Sequence, residues 1–284
     1  MSTGSPLIST DWLAAHIAEP NLRVADASWY LPQAGRNARA EYDAAHIPGA
    51  VFFDIDAISD QTTDLPHMLP DPVAFASAMR KLGIWDADFM VFYDGAGIYS
   101  SPRALWMMRA MGHGKAAVLD GGFPKWRREG RAIESSPPCT VARSHFTPHL
   151  QTELIRDFNA ILANLEVSSE QLVDARSPGR FRGDEPEPRP GVRPGHIPQS
   201  INLYYADVLA PDGTMRAPGD LKKLFTQRGV DLERPVVTAC GSGVTAAILF
   251  LALDLSGAKE TALYDGSWSE WGARADAPVE TGGR

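Results

Sequence analysis

The sequence predicts an α/β protein built from two tandem copies of one domain, each a parallel sheet flanked by helices. Two observations carry that reading. Short apolar runs alternate with longer segments of helical period, and such alternation implies parallel strands joined by crossover helices. Three landmarks also recur in the same order at nearly constant spacing. Val24-Ala25-Asp26-Ala27-Ser28 returns as Leu172-Val173-Asp174-Ala175-Arg176, with Asp26 and Asp174 148 residues apart. His46-Ile47-Pro48-Gly49-Ala50 returns as His196-Ile197-Pro198-Gln199-Ser200, an offset of 150. Asp120-Gly121-Gly122-Phe123 returns as Asp265-Gly266-Ser267-Trp268, an offset of 145.

Within the first copy, residues 71–82 read as a helix and the apolar run Phe89-Met90-Val91-Phe92-Tyr93 as a strand. Their counterparts are a helix over 220–229 and a strand over 235–238. The segment Ser135-Ser136-Pro137-Pro138 and the polar stretch through His149 read as a connection. The expected division is therefore a domain over 1–138, a linker over 139–152 and a second domain over 153–284. The run Gly183-Asp184-Glu185-Pro186-Glu187-Pro188-Arg189-Pro190-Gly191 cannot be helix or central strand, because its prolines lack the N–H and fix φ. It lies inside the second copy and reads as a long functional loop.

Composition narrows the function. The chain has 284 residues, enough for two ordinary domains. Its net charge of −8 argues against a general nucleic-acid binder. No run approaches the length of a membrane span, and the first residues show no basic and apolar pattern of a secretory signal. The two cysteines, Cys139 and Cys240, follow neither disulfide nor metal spacing. A reducing cytoplasm fits these features. His145 and His149 have the spacing of helical metal ligands, but nearby prolines and the lack of acidic partners argue against zinc.

Cys240 is the most informative residue. A β-branched run ends at it, Gly241-Ser242-Gly243-Val244-Thr245 follow, and a helical pattern begins at Ala246. That order places the sulfur where unbonded backbone amides and a helix N-terminus favour negative charge. Cysteines so placed have their pKa lowered from ~8.5 toward roughly 3.5–7.5. The repeat supplies an internal control: Asp94 stands 146 residues earlier, in the cysteine's place. A carboxylate cannot do thiol chemistry, so the first copy is expected to be inactive and to serve as half of a cleft wall.

The cysteine loop in the second of two similar domains resembles the rhodanese superfamily, and within it the branch that uses 3-mercaptopyruvate. Asp26-Ala27-Ser28-Trp29-Tyr30-Leu31-Pro32, His46 through Asp56, Gly179-Arg180-Phe181-Arg182-Gly183 with the proline-rich loop, and Tyr264-Asp265-Gly266-Ser267-Trp268 extend the resemblance over nearly the whole chain. It implies a two-step sulfur transfer from 3-mercaptopyruvate, through a Cys240 persulfide, to cyanide or a thiol such as thioredoxin or a small thiol. Neither cofactor nor metal is implied. In that scheme the backbone of Gly241, Ser242, Gly243, Val244 and Thr245 surrounds the persulfide. Arg180 and Arg189 match the substrate-binding arginines, because a guanidinium grips a carboxylate with two parallel bonds.

Asp56 and His67 match positions that assist Ser242 with protons. A plainer reading makes Asp56 a helix N-cap and His67 a turn residue. Tyr99, Arg103 and Arg182 are further candidates for the cleft, whereas His46 and His196 recur in both copies and read as structural. Three other activities compete. A thiosulfate sulfurtransferase would carry Arg and Lys directly after the cysteine, where this chain has the neutral Gly241 and Ser242. A cysteine phosphatase needs an Arg at the position held by Ala246. A non-catalytic binding module would have no need of Cys240.

Overall fold

The computed structural model describes residues 4–135 and 144–283. They form two compact units. The first takes the described residues of Met1–Gln61, Leu69–Gln151 and Pro211–Met215, and the second those of Thr62–Met68, Thr152–Ala210 and Arg216–Arg284.

In chain order the first unit has β1 (Leu7–Ile8), α1 (Thr10–His16), β2 (Leu22–Asp26), α2 (Ala38–Ala44), β3 (Val51–Phe52), α3 (Ile55–Ile58), α4 (Pro72–Lys81), β4 (Phe89–Tyr93), α5 (Ser101–Ala110), β5 (Ala116–Leu119) and α6 (Gly122–Arg128). The second has β6 (Ile155–Arg156), α7 (Phe158–Val167), β7 (Gln171–Asp174), α8 (Pro178–Arg182), β8 (Ile201–Asn202), α9 (Pro218–Gln227), β9 (Val236–Ala239), α10 (Ala246–Leu255), β10 (Thr261–Tyr264) and α11 (Ser267–Trp271). Among the described residues each unit holds a five-stranded parallel sheet. The orders, β1-β5-β4-β2-β3 and β6-β10-β9-β7-β8, are the same path through space. The tandem α/β reading holds, and the repeat is a repeat of topology.

Local chemistry explains the elements. Every residue of β4 and β9 is buried, as expected of central parallel strands covered on both faces. Helix α4 starts where Asp71 accepts from the amides of Val73 and Ala74 at 2.8 and 3.1 Å, with Pro72 in the first turn. It buries Phe75 and Met79. Helix α9 begins two residues before its expected start, because Pro218 supplies a helix-ready φ there. Helix α10 is buried from Ala246 to Leu253, so it is a core element that anchors the cysteine loop rigidly.

The stretch read as a linker has a different character where it is described. Residues 139–143 lie outside the described residues. From Ser144 to Gln151 the chain groups with the first unit. Phe146 is buried there, with ring centroids 5.8 Å from Phe75 and 5.7 Å from His113. Burying such a ring contributes about 1.5–3 kcal/mol. The amides of His149 and Gln151 donate to the carbonyls of Met111 and Ala110. Among the described residues no helix is long and apolar enough to cross a membrane.

Candidate active site

Strand β9 ends at Ala239 and delivers Cys240 into the second unit, where the thiol is free and only 2% exposed. The loop after it is held by its carbonyls. Cys240 O accepts from Trp268 N at 2.9 Å, and Gly241 O accepts from Ser269 N at 2.8 Å and Ser269 Oγ at 2.6 Å. Cys240 N donates to Ser267 Oγ at 3.2 Å, and that hydroxyl donates to Tyr264 O. The landmark Tyr264-Asp265-Gly266-Ser267-Trp268 thus acts as a clamp, a role the sequence did not reveal for Ser267 and Ser269. With the carbonyls engaged, the amides of Gly241, Ser242, Gly243, Val244 and Thr245 donate to no acceptor among the described residues. Gly243 has φ 77°, which glycine adopts without strain. A run of unbonded N–H groups leading into α10 forms a cradle for an anion.

The first unit shows such a loop filled. Asp94 O accepts from Phe123 N at 3.0 Å, as Cys240 O does from Trp268 N. The Asp94 carboxylate turns into its own loop and accepts from the amides of Ala96, Tyr99, Ser100 and Ser101 at 2.9–3.1 Å, and from the Ser101 hydroxyl at 2.6 Å. The side chain of this copy is itself the anion.

Arg180 reaches the cysteine loop from α8. A Cβ added to Gly241 would lie 3.0 Å from Arg180 Nη2, so the absence of a side chain at 241 makes room for the guanidinium. Arg180 is aimed by Glu187 of the proline-rich loop, whose carboxylate accepts from Nη2 at 2.5 Å. Glu187 is nearly buried and also accepts from Arg176 Nη1 at 2.9 Å. Arg176 in turn grips Asp174 and lies 4.4 Å over the Trp268 ring. Burial alone would lower the Arg176 pKa; Asp174 and Glu187 outweigh it and raise the value above the ordinary one. The chain Asp174–Arg176–Glu187–Arg180 alternates in charge and fixes Arg180 on a buried base. In the sequence Arg176 stands only within the repeated landmark and Glu187 only within the proline-rich loop, neither with a role of its own.

His67 belongs to the second unit although it lies in the N-terminal half of the sequence. It is 5% exposed and holds φ at 63°, a left-handed conformation uncommon for a non-glycine residue. Its Nδ1 is 3.0 Å from Ser242 Oγ and 3.3 Å from Ser242 O. Depending on tautomer, the ring accepts the hydroxyl proton or donates toward it. Arg189 follows in the same loop as Glu187 and is half-buried.

Other candidates fall elsewhere. Asp56 is in the first unit, in the first turn of α3, where it accepts from Trp29 Nε1 at 3.0 Å. The N-cap of that helix is Asp54, which precedes its first residue and accepts from Ala57 N three positions on at 3.0 Å; Asp56 already lies inside the helix, so the capping reading of Asp56 does not hold. Arg182 is exposed and pairs with Asp184. Arg103 is fully buried over Trp106, and Tyr99 is half-buried. His46 and His196 each stack on an aromatic ring and bond its backbone carbonyl, Tyr42 in one unit and Phe181 in the other. Among the described residues no group of three or more His, Cys, Asp and Glu could hold a metal ion.

Comparison with known proteins adds four findings. The family model described as Rhodanese-like domain matches residues 9–129 and 157–274. The chain is 44% identical over 275 residues to human 3-mercaptopyruvate sulfurtransferase, covering 95% of this chain and 92% of that protein. It is 42% identical over 282 residues to mouse thiosulfate sulfurtransferase, covering 97% and 94%. The crystal structure of SseA from Escherichia coli, described as a 3-mercaptopyruvate sulfotransferase, superposes with a TM-score of 0.85 at 38% identity, over 93% of this chain and 99% of that one.

Proposed function

The chain belongs to the rhodanese family, and from that premise we propose that it moves sulfur from 3-mercaptopyruvate onto Cys240 and on to a thiol or to cyanide. The observation that carries this reading is the set of unbonded amides from Gly241 to Thr245 around a free cysteine, with Arg180 held against Gly241.

The chemistry balances on these groups. The Cys240 thiolate attacks the substrate sulfur, an S–S bond forms and the C–S bond breaks. Its electron pair leaves on the three-carbon fragment as the enolate of pyruvate. The proton of the substrate thiol ends on that carbon, so Cys240 carries a persulfide anion and pyruvate departs. The amides of residues 241–245 stabilise the terminal sulfur, an oxyanion-hole logic applied to sulfur. Arg180 and Arg189 bind the substrate carboxylate and keto oxygen. Ser242 with His67 relays the proton, with Asp56 as a further contributor. In the second half-reaction an acceptor thiolate, from thioredoxin or a small thiol, or cyanide takes the outer sulfur and regenerates the thiolate, a ping-pong cycle. The first unit is inactive, because Asp94 fills its own loop. A reducing cytoplasm keeps Cys240 reduced between cycles, and neither nucleic acid nor membrane takes part.

Mouse thiosulfate sulfurtransferase makes thiosulfate the second donor to weigh. Gly241 and Ser242 bring no positive charge, and the charge of Arg180 is opposed by Glu187. A dianion therefore finds less compensation here than a monoanionic α-keto acid. The deciding experiment runs both donors against the same acceptor. We expect a higher kcat/KM with 3-mercaptopyruvate and no turnover in Cys240→Ser. Faster turnover of thiosulfate would reverse the donor assignment, and wild-type pyruvate release by the serine variant would remove Cys240 from the chemistry.

A further inference from the structure

The first unit contains a cavity of about 520 Å³ that sulfur transfer does not use. Its wall includes Asp26, Ser28, Ala45, Phe123 and Arg127. The internal repeat identifies the space. In the second unit the matching position is filled by Arg176, which is fully buried. Its guanidinium makes bonds of 2.6–3.1 Å to Asp174, donates to Gly195 O at 2.8 Å and to Glu187 at 2.9 Å, and lies over Trp268. The repeat offsets pair Ser28 with Arg176, Asp26 with Asp174, Ala45 with Gly195 and Phe123 with Trp268. All four counterparts line the cavity, and Glu41 adds a second carboxylate to its wall. The acid, the backbone position and an aromatic ring that surround Arg176 recur as Asp26, Ala45 and Phe123, and the arginine is replaced by serine.

We infer that this cavity binds a small guanidinium compound, seated against Asp26 and the Phe123 ring in the place Arg176 takes in the second unit. Asp26 is 3% exposed and its carboxylate accepts from the Ser28 amide at 2.9 Å and the Ser28 hydroxyl at 2.5 Å. No cation pairs with it among the described residues. Burial raises its pKa to about 6, against which the Ser28 bonds work only in part. A planar cation with two parallel N–H groups matches a carboxylate, and its face matches an aromatic ring. The arginines already at the wall do not serve. Arg36 is engaged by Glu41, Gly95 O and the Tyr30 ring, and Arg127 lies over the Phe123 ring at 5.8 Å, the outer limit of a cation–π contact, without pairing with Asp26. Arg127 is placed to attract a carboxylate at the ligand's other end.

The test is calorimetric titration of the full chain near neutral pH with methylguanidinium and 4-guanidinobutanoate, with methylammonium and butanoate as controls. Saturable binding of the two guanidinium compounds but not the controls is expected, the guanidino acid binding more tightly. Asp26→Asn should weaken binding roughly 10- to 100-fold, by loss of a charge-assisted pair. Ser28→Arg should abolish binding and raise the melting temperature, because it restores the arrangement of Arg176. Sulfur transfer at Cys240 should be unchanged in both variants. Absence of saturable binding to the wild type overturns the assignment, as does undiminished binding by Asp26→Asn, whether or not Ser28→Arg folds. Tighter binding of N-acetyl-arginine amide than of either free compound would move the site from small ligands to the arginine of a protein.

Discussion

Glu187→Gln tests whether Arg180 is held ready by a buried chain of charges. The Glu187 side chain is 4% exposed and bonds both Arg176, itself fully buried, and Arg180, which is 21% exposed. Removing one partner of a buried ion pair costs about 3–5 kcal/mol. Glutamine keeps one acceptor oxygen, and Arg176 keeps Asp174 and Gly195 O, so the expected loss falls at or just below that range, about 2–3 kcal/mol. The Arg180 half of the pair is partly solvated and adds little to that figure. In a chain of this size the melting temperature of the second unit should fall by roughly 4–12 °C. Because Arg180 loses its aligning carboxylate, KM for 3-mercaptopyruvate should rise about tenfold, with a smaller change in kcat. The control is Asp184→Asn, which breaks the exposed Arg182 pair and should change stability by less than about 0.5 kcal/mol. Thermal unfolding and steady-state pyruvate release read both effects. A Glu187→Gln protein that melts and binds like wild type, or an equal loss in Asp184→Asn, would refute the reasoning.

Three further outcomes are expected. Ser242→Ala removes the hydroxyl next to His67 and should lower kcat about 10²-fold with little change in KM; an unaltered kcat removes the pair from proton transfer. Gly241→Ala places a Cβ 3.0 Å from Arg180 Nη2, so the guanidinium must shift; KM should rise severalfold at unchanged melting temperature, and an unchanged KM contradicts the placement of Arg180. Asp26 binds its proton more tightly in the folded state, with a pKa of about 6, than unfolded, with 3.8. The native state is therefore penalised above pH 6, by about 3 kcal/mol, and the penalty fades as pH falls toward 3.8. Asp26→Asn should stabilise the protein near pH 7.5 and lose that advantage near pH 4, as read by denaturant unfolding at the two pH values; an advantage independent of pH would show that the buried charge is not its source.

The fold was legible because the central strands are unbroken apolar runs and because the landmarks repeat in register. Phe89–Tyr93 is a strand over its full predicted length. Edge strands such as Leu7–Ile8 and Ile155–Arg156 are two residues long, too short to leave a period. At the site, the loop from Cys240 to Thr245 was readable because glycine spacing after a strand has few structural meanings. The burial of Arg176 was not readable, since its cost is met by Asp174 and Glu187, the latter eleven residues away in a loop without periodicity. The meeting of His67 with Ser242 spans 175 residues; no local pattern reports such a contact, and it was expected only through the family resemblance. The same repeat that marked Asp94 as the counterpart of Cys240 also exposed the exchange of Arg176 for Ser28, a difference visible in the sequence whose consequence is a cavity.

The most direct measurement is the intact mass of the protein after mixing with 3-mercaptopyruvate in the absence of any acceptor. The account predicts the gain of one sulfur atom per chain, located by peptide mapping to Cys240, with one equivalent of pyruvate released and the added sulfur discharged by cyanide or a thiol. No added sulfur in the wild type, or the same addition in Cys240→Ser, would contradict it.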